Sequence, residues 1–274
     1  MLSMESRPEP LQDSIKCPAC AVEMLFGEAN GAPRWVRCPE CKLMMRHPMP
    51  LVRELDKMYA KAYSPTAVKL DSTGFESEEG MLVHLAAFLI DRFFRPGDRI
   101  LDFGAGSGRF CRILRDAGFQ VDGVELAAEP RAEAKARFGF EFRSTLSEMR
   151  ENYYDWVVAI EVLEHLPDPE HTLVELRSRL KPGAAVFLTT PNASGLQARL
   201  NRFAWREAQN PFHLILFTFP ALKQLLARAQ YRDVQSVLFS PVGAVSPGRW
   251  ALHRALQLLR LYGSIRVVAR NADA

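Results

Sequence analysis

Hydrophobic and polar positions change period several times along this chain, and the changes mark its elements. Leu82, Leu85, Ala86 and Leu89 recur at helical spacing, so a helix is predicted over Met81 to Phe94, broken by Arg95-Pro96-Gly97. Arg99 to Phe103 reads as a short buried strand and Arg109 to Ala117 as a helix closed by Gly118. The alternation continues with a strand at Gln120 to Glu125, a helix at Glu129 to Phe138 ended by Gly139, and a third strand at Phe140 to Arg143. A fourth strand, Asp155 to Ile160 (DWVVAI), precedes a helix over Pro169 to Leu180. Lys181-Pro182-Gly183 turns into a fifth strand, Ala185 to Thr190. After an irregular stretch come a helix at Pro220 to Ala229 and late strands at Val234 to Phe239 and Ile265 to Ala269. Strand–helix alternation with crossovers this short implies an α/β fold, a mostly parallel sheet covered on both faces.

The chain is expected to divide into a polar tail (1–13), a cysteine-rich module (14–47), a linker and lid region with Tyr59 and Tyr63 (48–80), and the α/β domain (81–274). Apolar residues at 48% and charged residues at 24% exclude a disordered chain or a coiled coil. No apolar run approaches the roughly 18 residues of a membrane span. The opening MLSMESRPEP lacks the apolar core of a signal peptide, so a cytoplasmic protein with reduced thiols is expected. A net charge of +3 permits a nucleic-acid partner without demanding one. Trp250, Leu252, Leu256, Leu259 and Leu261 interleave with Arg249, Arg254 and Arg260, which predicts an amphipathic helix from Gly248 to Tyr262. Such a helix would pack on the sheet or on a partner subunit, as in a homodimer, with membrane contact as the alternative.

Cys17-Pro-Ala-Cys20 and Cys38-Pro-Glu-Cys41 are separated by seventeen residues, the spacing of a four-thiolate zinc site. Each Cys-x-x-Cys turn aims two sulfurs at one point, and two turns complete a tetrahedron with sulfurs about 2.3 Å from Zn²⁺. Four protein ligands leave no open position, so Cys17, Cys20, Cys38 and Cys41 are assigned to structural rather than catalytic zinc. Asn30-Gly31 would turn the hairpin between the pairs, and Trp35-Val36 would return the chain as a strand. Cys111 lies apart and reads as a small core residue.

The sharpest local signal is Ile100-Leu101-Asp102-Phe103-Gly104-Ala105-Gly106-Ser107-Gly108-Arg109. A glycine-rich turn between a buried strand and a helix lets a ligand approach the backbone and exposes helix amides. Glu125 ends the next strand, 21 residues after Gly104, where a carboxylate can accept from both hydroxyls of a ribose. A dinucleotide prefers G-x-G-x-x-G for its pyrophosphate. Here the spacing is G-x-G-x-G, and Asp102 would repel a pyrophosphate while suiting the ammonium of S-adenosylmethionine.

With LDFGAGSG and VDGVEL, the stretches DWVVAIEVLEHLPDP, LKPGAAVFLTTPN and NPFHLILFTFPALKQLLARAQY resemble the class I S-adenosylmethionine-dependent methyltransferases over roughly residues 80 to 240. Within that group the likeness is to the branch holding the ubiquinone-biosynthesis O-methyltransferases, here with a zinc-ribbon lead. The resemblance implies a Rossmann-like seven-stranded sheet with one reversed strand near the C-terminus. It also implies donor contacts from Asp102, Gly104, Ala105, Gly106, Gly108, Glu125, Leu126 and Glu161. Relatives often place an Asp after strand three for the adenine amine. Here Ser144-Thr145-Leu146-Ser147 follows, which leaves Thr145 and Leu146 as candidates.

Methyl transfer from a sulfonium needs mainly alignment of the acceptor and removal of its proton. Glu161, Glu164 and His165 reproduce a Glu-x-x-Glu-His pattern that relatives associate with a divalent cation, so Mg²⁺ is one expectation for them. Acid–base work without metal, or loop ordering and packing, are the others. His213 in Asn210-Pro211-Phe212-His213 is a second base candidate, or else an ordered loop histidine. Arg199, Arg202, Trp205 and Arg206 just before it read as a lid or as a solvated helix face. The expected activity is methylation of an oxygen or nitrogen of a small acceptor such as a sugar, glycan or secondary metabolite. An RNA base methyltransferase gripping its substrate with the ribbon is the alternative, and a non-catalytic scaffold the third class.

Overall fold

The computed structural model describes residues 13–26, 34–51, 53–55, 58, 75–239 and 247–272. The expected Asn30-Gly31 turn, most of the tail, and Tyr59 and Tyr63 with most of the linker and lid region lie outside them. Two short hairpins open the chain. β1 (Asp13–Lys16) pairs antiparallel with β2 (Glu23–Phe26), and β3 (Arg34–Arg37) with β4 (Met44–His47). A Cys-x-x-Cys turn lies in the loop that joins the two strands of each hairpin, and Trp35-Val36 lies in a strand as expected.

The α/β domain begins at helix α1 (Phe75–Arg92), longer at its start than the apolar spacing predicted. Strand β5 (Arg99–Phe103), helix α2 (Arg109–Asp116), strand β6 (Gln120–Val124) and helix α3 (Ala128–Phe138) follow. Next come strand β7 (Tyr154–Ile160), helix α4 (Pro169–Arg179) and strand β8 (Leu180–Pro191). Pro at the first turn and an Asp168 side chain accepting from the His171 amide fix the start of α4. Lys181-Pro182-Gly183, expected as a turn, is absorbed into β8 as an irregularity in its register with β7.

Beyond β8 lie short helices α5 (Leu196–Asn201) and α6 (Arg206–Gln209) and a two-residue strand β9 (Ile215–Leu216). Helix α7 (Phe219–Arg228), strand β10 (Tyr231–Ser236), helix α8 (Pro247–Leu258) and strand β11 (Ser264–Asn271) complete the described chain. β10 sits three residues earlier than the apolar run Val234 to Phe239 suggested. Val237 and Phe239 are buried, but past the strand, against α1.

The main sheet runs β10-β11-β8-β7-β5-β6. β6, β5, β7 and β8 are parallel, and β11 enters antiparallel between β8 and β10. The expected reversed strand is therefore present, and among the described residues the sheet has six strands where seven were expected. Phe140 to Arg143 makes only a bridge, Arg143 to Val124, because Phe140 and Phe142 turn their rings into a pocket against Gly108 and Gly123 instead of extending the edge.

Period-two alternation splits the apolar residues between the two faces. Trp156, Val158, Ala185 and Phe187 pack with α1 and α2 on one side. Val157, Ala159, Val186 and Leu188 pack on the other with Leu173 and Leu176 of α4 and Leu222, Leu225 and Leu226 of α7. The second core does not stop at the domain. Cys17, Ala19, Met24, Val36, Cys38 and Leu43 of the cysteine module belong to the same continuous cluster. β4 pairs antiparallel with β9, Met44 facing Leu216 and Met45 facing Ile215. The Thr218 hydroxyl, which also caps α7 by accepting from the Ala221 amide, donates to the Cys41 carbonyl at 2.6 Å.

The four thiols are arranged as a metal would need them. Cys17 and Cys41 sulfurs lie 3.5 Å apart, as do Cys20 and Cys38, and Cys20 and Cys41 lie 3.7 Å apart. A tetrahedron with bonds of about 2.3 Å has edges of about 3.8 Å, so these sulfurs fit one Zn²⁺ with little movement. A thiol hydrogen bond from Cys41 brings Cys17 down to about 5, while the same bond and burial push Cys41 up and burial pushes Cys20 up. Because the module shares its core with α4 and α7, its metal should support the whole domain. Replacing Cys38 and Cys41 together by Ser is expected to remove about one zinc per chain and to lower the midpoint of the main thermal transition by roughly 5 °C or more. Metal analysis and fluorescence-detected melting check this. A main transition that stays in place would mean the ribbon folds independently.

Candidate functional site

Parallel strands β5, β6, β7 and β8 all end at one edge, and the chain leaves β5 and β7 in opposite directions around their boundary. Open α/β sheets bind ligands at such a place. Gly104, Gly106 and Gly108 all have positive φ (79°, 53° and 80°), a backbone path that residues with a Cβ resist. Two of them are also hemmed in. A Cβ at Gly104 would sit 2.5 Å from Val162, and one at Gly108 would touch Ala134, Phe140 and Phe142 at 3.2 Å. Nothing lies near Gly106, so the loop is tight at its ends and open in its middle. The amides of Gly104 and Ala105 donate to the Val124 carbonyl, which pins the loop against the end of β6.

Glu125 stands across the loop. One carboxylate oxygen accepts from the Gly106 amide at 3.0 Å and the other from the Ala127 amide at 2.8 Å. Arg131 donates to the Glu125 carbonyl at 2.7 Å and holds the turn after β6. Leu126, beside it, is 65% exposed and offers an apolar wall. After the Arg143 bridge, Thr145 starts a short helical turn at Leu146–Glu148. The Thr145 hydroxyl and amide and the Ser144 amide all donate to Glu148, so Thr145 is tied into its own turn, and Leu146 is buried.

Asp102 is the most constrained group. It is 3% exposed, and its Oδ2 accepts from the Cys111 thiol at 3.2 Å. Burial raises its pKa to about 7, with the Cys111 hydrogen bond opposing and Glu125 adding to the rise. Cys111 is thus more than core filling: it is the donor to a buried carboxyl. The one sequence signal for that role was its position on α2, one turn of helix after the glycine loop.

Glu161 follows β7 directly at φ 53°. Its amide donates to the Thr189 carbonyl and hydroxyl, and that hydroxyl donates back to Glu161 Oε1 at 2.8 Å. The residue is exposed to solvent although protein surrounds its carboxyl group. Burial raises its pKa, opposed by Thr189 and by the charge of Arg266.

Glu164 is fully buried. Thr190 donates to its Oε2 at 2.9 Å, while Oε1 has no hydrogen-bond partner. Burial first, and then the charge of Glu161, push its pKa well up, so it favours the neutral acid. His165 Nδ1 donates to the Phe212 carbonyl at 3.0 Å, and its Nε2 lies 3.9 Å from Glu164 Oε1. His213 donates from Nδ1 to the Glu207 carbonyl at 2.9 Å and accepts at Nε2 from Asn210 at 3.1 Å. The two imidazoles meet edge to face, 4.8 Å between centres. Burial lowers both, His165 to about 4, so both stay neutral near pH 7.

These positions group the donors differently from the expected cation set. The donors that converge within 4.8 Å are Glu164, His165 and His213, with Glu161 turned instead to Thr189. Mg²⁺ prefers oxygen ligands in an octahedron, and two imidazoles with one buried carboxyl do not offer that. The expected lid at Arg199 to Asn210 is the helical stretch α5 to α6, with Trp205 buried and Arg206 exposed beside Glu207. No helix among the described residues is long and apolar enough to cross a membrane.

Comparison with known proteins adds independent findings. The family described as "Methyltransferase domain" matches residues 79–236, more than half of the chain. The ubiquinone biosynthesis O-methyltransferase of Hahella chejuensis is 32% identical over 115 residues, covering 38% of this chain and 48% of that protein. The enzyme of the same name from Xanthomonas campestris pv. campestris is 32% identical over 114 residues, with the same coverage. The chain thus spans about half the length of the curated relatives it matches. A SAM-dependent methyltransferase structure from Archaeoglobus fulgidus superposes with a TM-score of 0.54 at 21% identity, covering 73% of this chain and all of that one. Haemonchus contortus phosphoethanolamine N-methyltransferase 2, solved with phosphomonomethylethanolamine and S-adenosylhomocysteine, gives 0.51 at 17% identity, covering 69% and 52%.

The raised pKa of Asp102 has a consequence for stability. Unfolded, an aspartate titrates near 4. Between that value and about 7 the folded protein holds a proton that the unfolded chain releases, so stability falls as pH rises through this window. Asp102→Asn, which does not titrate, is expected to raise the melting midpoint of the ligand-free protein at pH 8 by about 3 °C or more, about 1 kcal/mol. The gain should shrink toward pH 5. Melting curves at both pH values check this, and an equal shift at both would point to a cause other than the buried charge.

Proposed function

The chain belongs to the methyltransferase-domain family, the S-adenosylmethionine-dependent methyltransferases, and from that premise we propose that it moves a methyl group to an oxygen or nitrogen of a small acceptor. The observation that carries this reading is the set Asp102, open Gly106 and Glu125 around one glycine loop. A buried carboxyl at Asp102 suits an ammonium. The Gly106 amide and the Glu125 carboxylate, which satisfy each other here, are the pair a ribose and its neighbouring groups would engage. Leu126, Thr145 and Leu146 would border the adenine. When bound, S-adenosylmethionine supplies a methyl group already activated on a sulfonium.

The chain's own work is then alignment and proton handling. Glu161, at the cleft floor with Thr189 fixing one oxygen, is the group suited to orient an acceptor hydroxyl and to take its proton. His165, held neutral with a lowered pKa, is a poor proton acceptor. Together with His213 and Glu164 it forms an uncharged polar wall. Both ring nitrogens of His213 are engaged, which favours a positioning role for it. Oxygen methylation is the finer reading, in keeping with the ubiquinone-pathway names of the relatives.

A small acceptor is favoured over RNA because two of the ribbon's recognition-type residues, Trp35 and Arg46, are engaged inside the protein. The Trp35 indole donates to the Ala208 carbonyl at 3.0 Å, and the Arg46 guanidinium lies 4.8 Å from the Trp35 ring centre. Neither is free to stack on a base.

Calorimetry with S-adenosylhomocysteine tests the reading. Glu125→Ala is expected to weaken binding roughly tenfold to hundredfold, the worth of hydrogen bonds to a charged group. Wild-type affinity should fall by up to about tenfold for each pH unit below 7, because a proton must leave Asp102 before an ammonium can pair with it. Asp102→Asn should bind weakly at every pH. Binding of a nicotinamide dinucleotide in place of S-adenosylhomocysteine would overturn the assignment.

A further inference from the structure

The ribbon's second hairpin reaches the acceptor side of the cleft through one residue. Arg46 on β4 donates from Nε to the His213 carbonyl at 2.6 Å. Its Nη2 donates to the Asn210 carbonyl at 2.8 Å and to the Ala208 carbonyl at 3.5 Å. Its backbone amide donates to the Leu214 carbonyl at 2.9 Å, which prolongs the β4–β9 pairing. The guanidinium lies beside Trp35, whose indole shares the Ala208 carbonyl. Arg46 is half-buried in this position.

The same loop is held from its other side by the turn after β7. The Leu214 amide donates to the Glu164 carbonyl at 2.7 Å, and the Phe212 carbonyl accepts from His165. Residues 208–214 make no ladder of their own with the main sheet; the His213 amide reaches the Asn210 carbonyl within the loop, and the Ala208 and His213 carbonyls take donors from the ribbon. A planar guanidinium can serve three carbonyls at once, and an ammonium cannot do so in one geometry.

We propose that Arg46 is a positioning residue for methyl transfer: by clamping loop 208–213 it fixes His213, and through it His165, on the acceptor side of the cleft. The ribbon is then a wall of the catalytic unit rather than an appended binding module. The clamp itself is geometric, and its catalytic meaning rests on the methyltransferase reading.

The test uses the full chain with Arg46→Ala and Arg46→Lys, followed by hydrogen exchange with mass spectrometry, zinc content and S-adenosylhomocysteine calorimetry. Exchange in 208–216 and in 162–166 should rise about tenfold in Arg46→Ala, the equivalent of one lost charge-assisted hydrogen bond. Arg46→Lys should stay similarly unprotected. Zinc should remain near one per chain, and the S-adenosylhomocysteine affinity should stay within about twofold. Added guanidinium ion, unlike ammonium, should restore protection to Arg46→Ala.

A rise confined to residues 34–47, or none at all, overturns the proposal. If Arg46→Ala loses its zinc, Trp35→Phe decides, since it removes one donor to the loop and keeps the ring. A smaller rise around 206–210 supports the clamp, and unchanged exchange there refutes it. A wild-type chain that ignores S-adenosylhomocysteine yet shows the exchange pattern would sink the methyltransferase reading and leave the clamp standing.

Discussion

Four parallel strands that stop at one edge set the terms for everything else in this molecule. Where β5, β6, β7 and β8 end, their backbone groups lose the sheet and must find other partners. At β5 the chain solves this with a loop of left-handed glycines in which the Gly104 and Ala105 amides donate to the Val124 carbonyl. At β6 it uses the Glu125 carboxylate as an acceptor for two amides. At β7 a left-handed Glu161 hands its amide to Thr189 of β8. The same edge therefore gathers a loop, two carboxylates and a hydroxyl without any of them being adjacent in sequence. Function in this fold follows from strand termination.

That edge also concentrates charge where charge is expensive. Asp102 and Glu164 are both buried, and among the described residues the hydrogen-bond donors to their carboxyl groups are a thiol and a hydroxyl, neither of them a cation. A domain organised solely for stability would put apolar groups there. Asp102 faces the glycine loop, and its cost is offset by the continuous apolar packing on both faces of the sheet. Glu164 serves the other side. Its backbone carbonyl anchors Leu214, and its neutral acid form sits beside two neutral imidazoles. One side of this edge thus gathers the carboxyl groups of Asp102 and Glu125, and the other a buried acid next to two packed imidazoles.

The parts of this design that repeat locally were legible in the sequence. The glycine spacing, Asp102, Glu125 and the two cysteine pairs announce themselves because each is a short-range geometry, and each stands where the pattern put it. The structure departs from the local pattern where tertiary contacts override local preference. Phe140 to Arg143 has the apolar pattern of a strand, yet its rings are claimed by Gly108 and Gly123, so only Arg143 reaches the sheet. Val237 and Phe239 look like strand residues but follow β10, drawn to α1. Glu-x-x-Glu-His places three donors close in sequence, but one peptide in left-handed geometry sends Glu161 to Thr189 and leaves His213, 48 residues on from His165, as the third member.

The ribbon illustrates the limit of such reading most fully. Its spacing identifies a metal cluster and says nothing about where the module sits. Placement depends on partners far along the chain: β9 for β4, Thr218 for Cys41, and the carbonyls of residues 208, 210 and 213 for Arg46. Each of these contacts is a modest interaction alone, worth about 1 kcal/mol for a neutral hydrogen bond and up to about 3 when one partner is charged. Taken with an apolar core that runs from Met24 and Leu43 to Leu225, they tie the module to the α/β domain among the described residues. A metal that orders Cys38 and Cys41 therefore orders β4, and β4 orders the loop facing His165. The physical path from thiolate to cleft runs through backbone hydrogen bonds and one guanidinium, and each step lies too far apart in sequence for any local pattern to have foretold it.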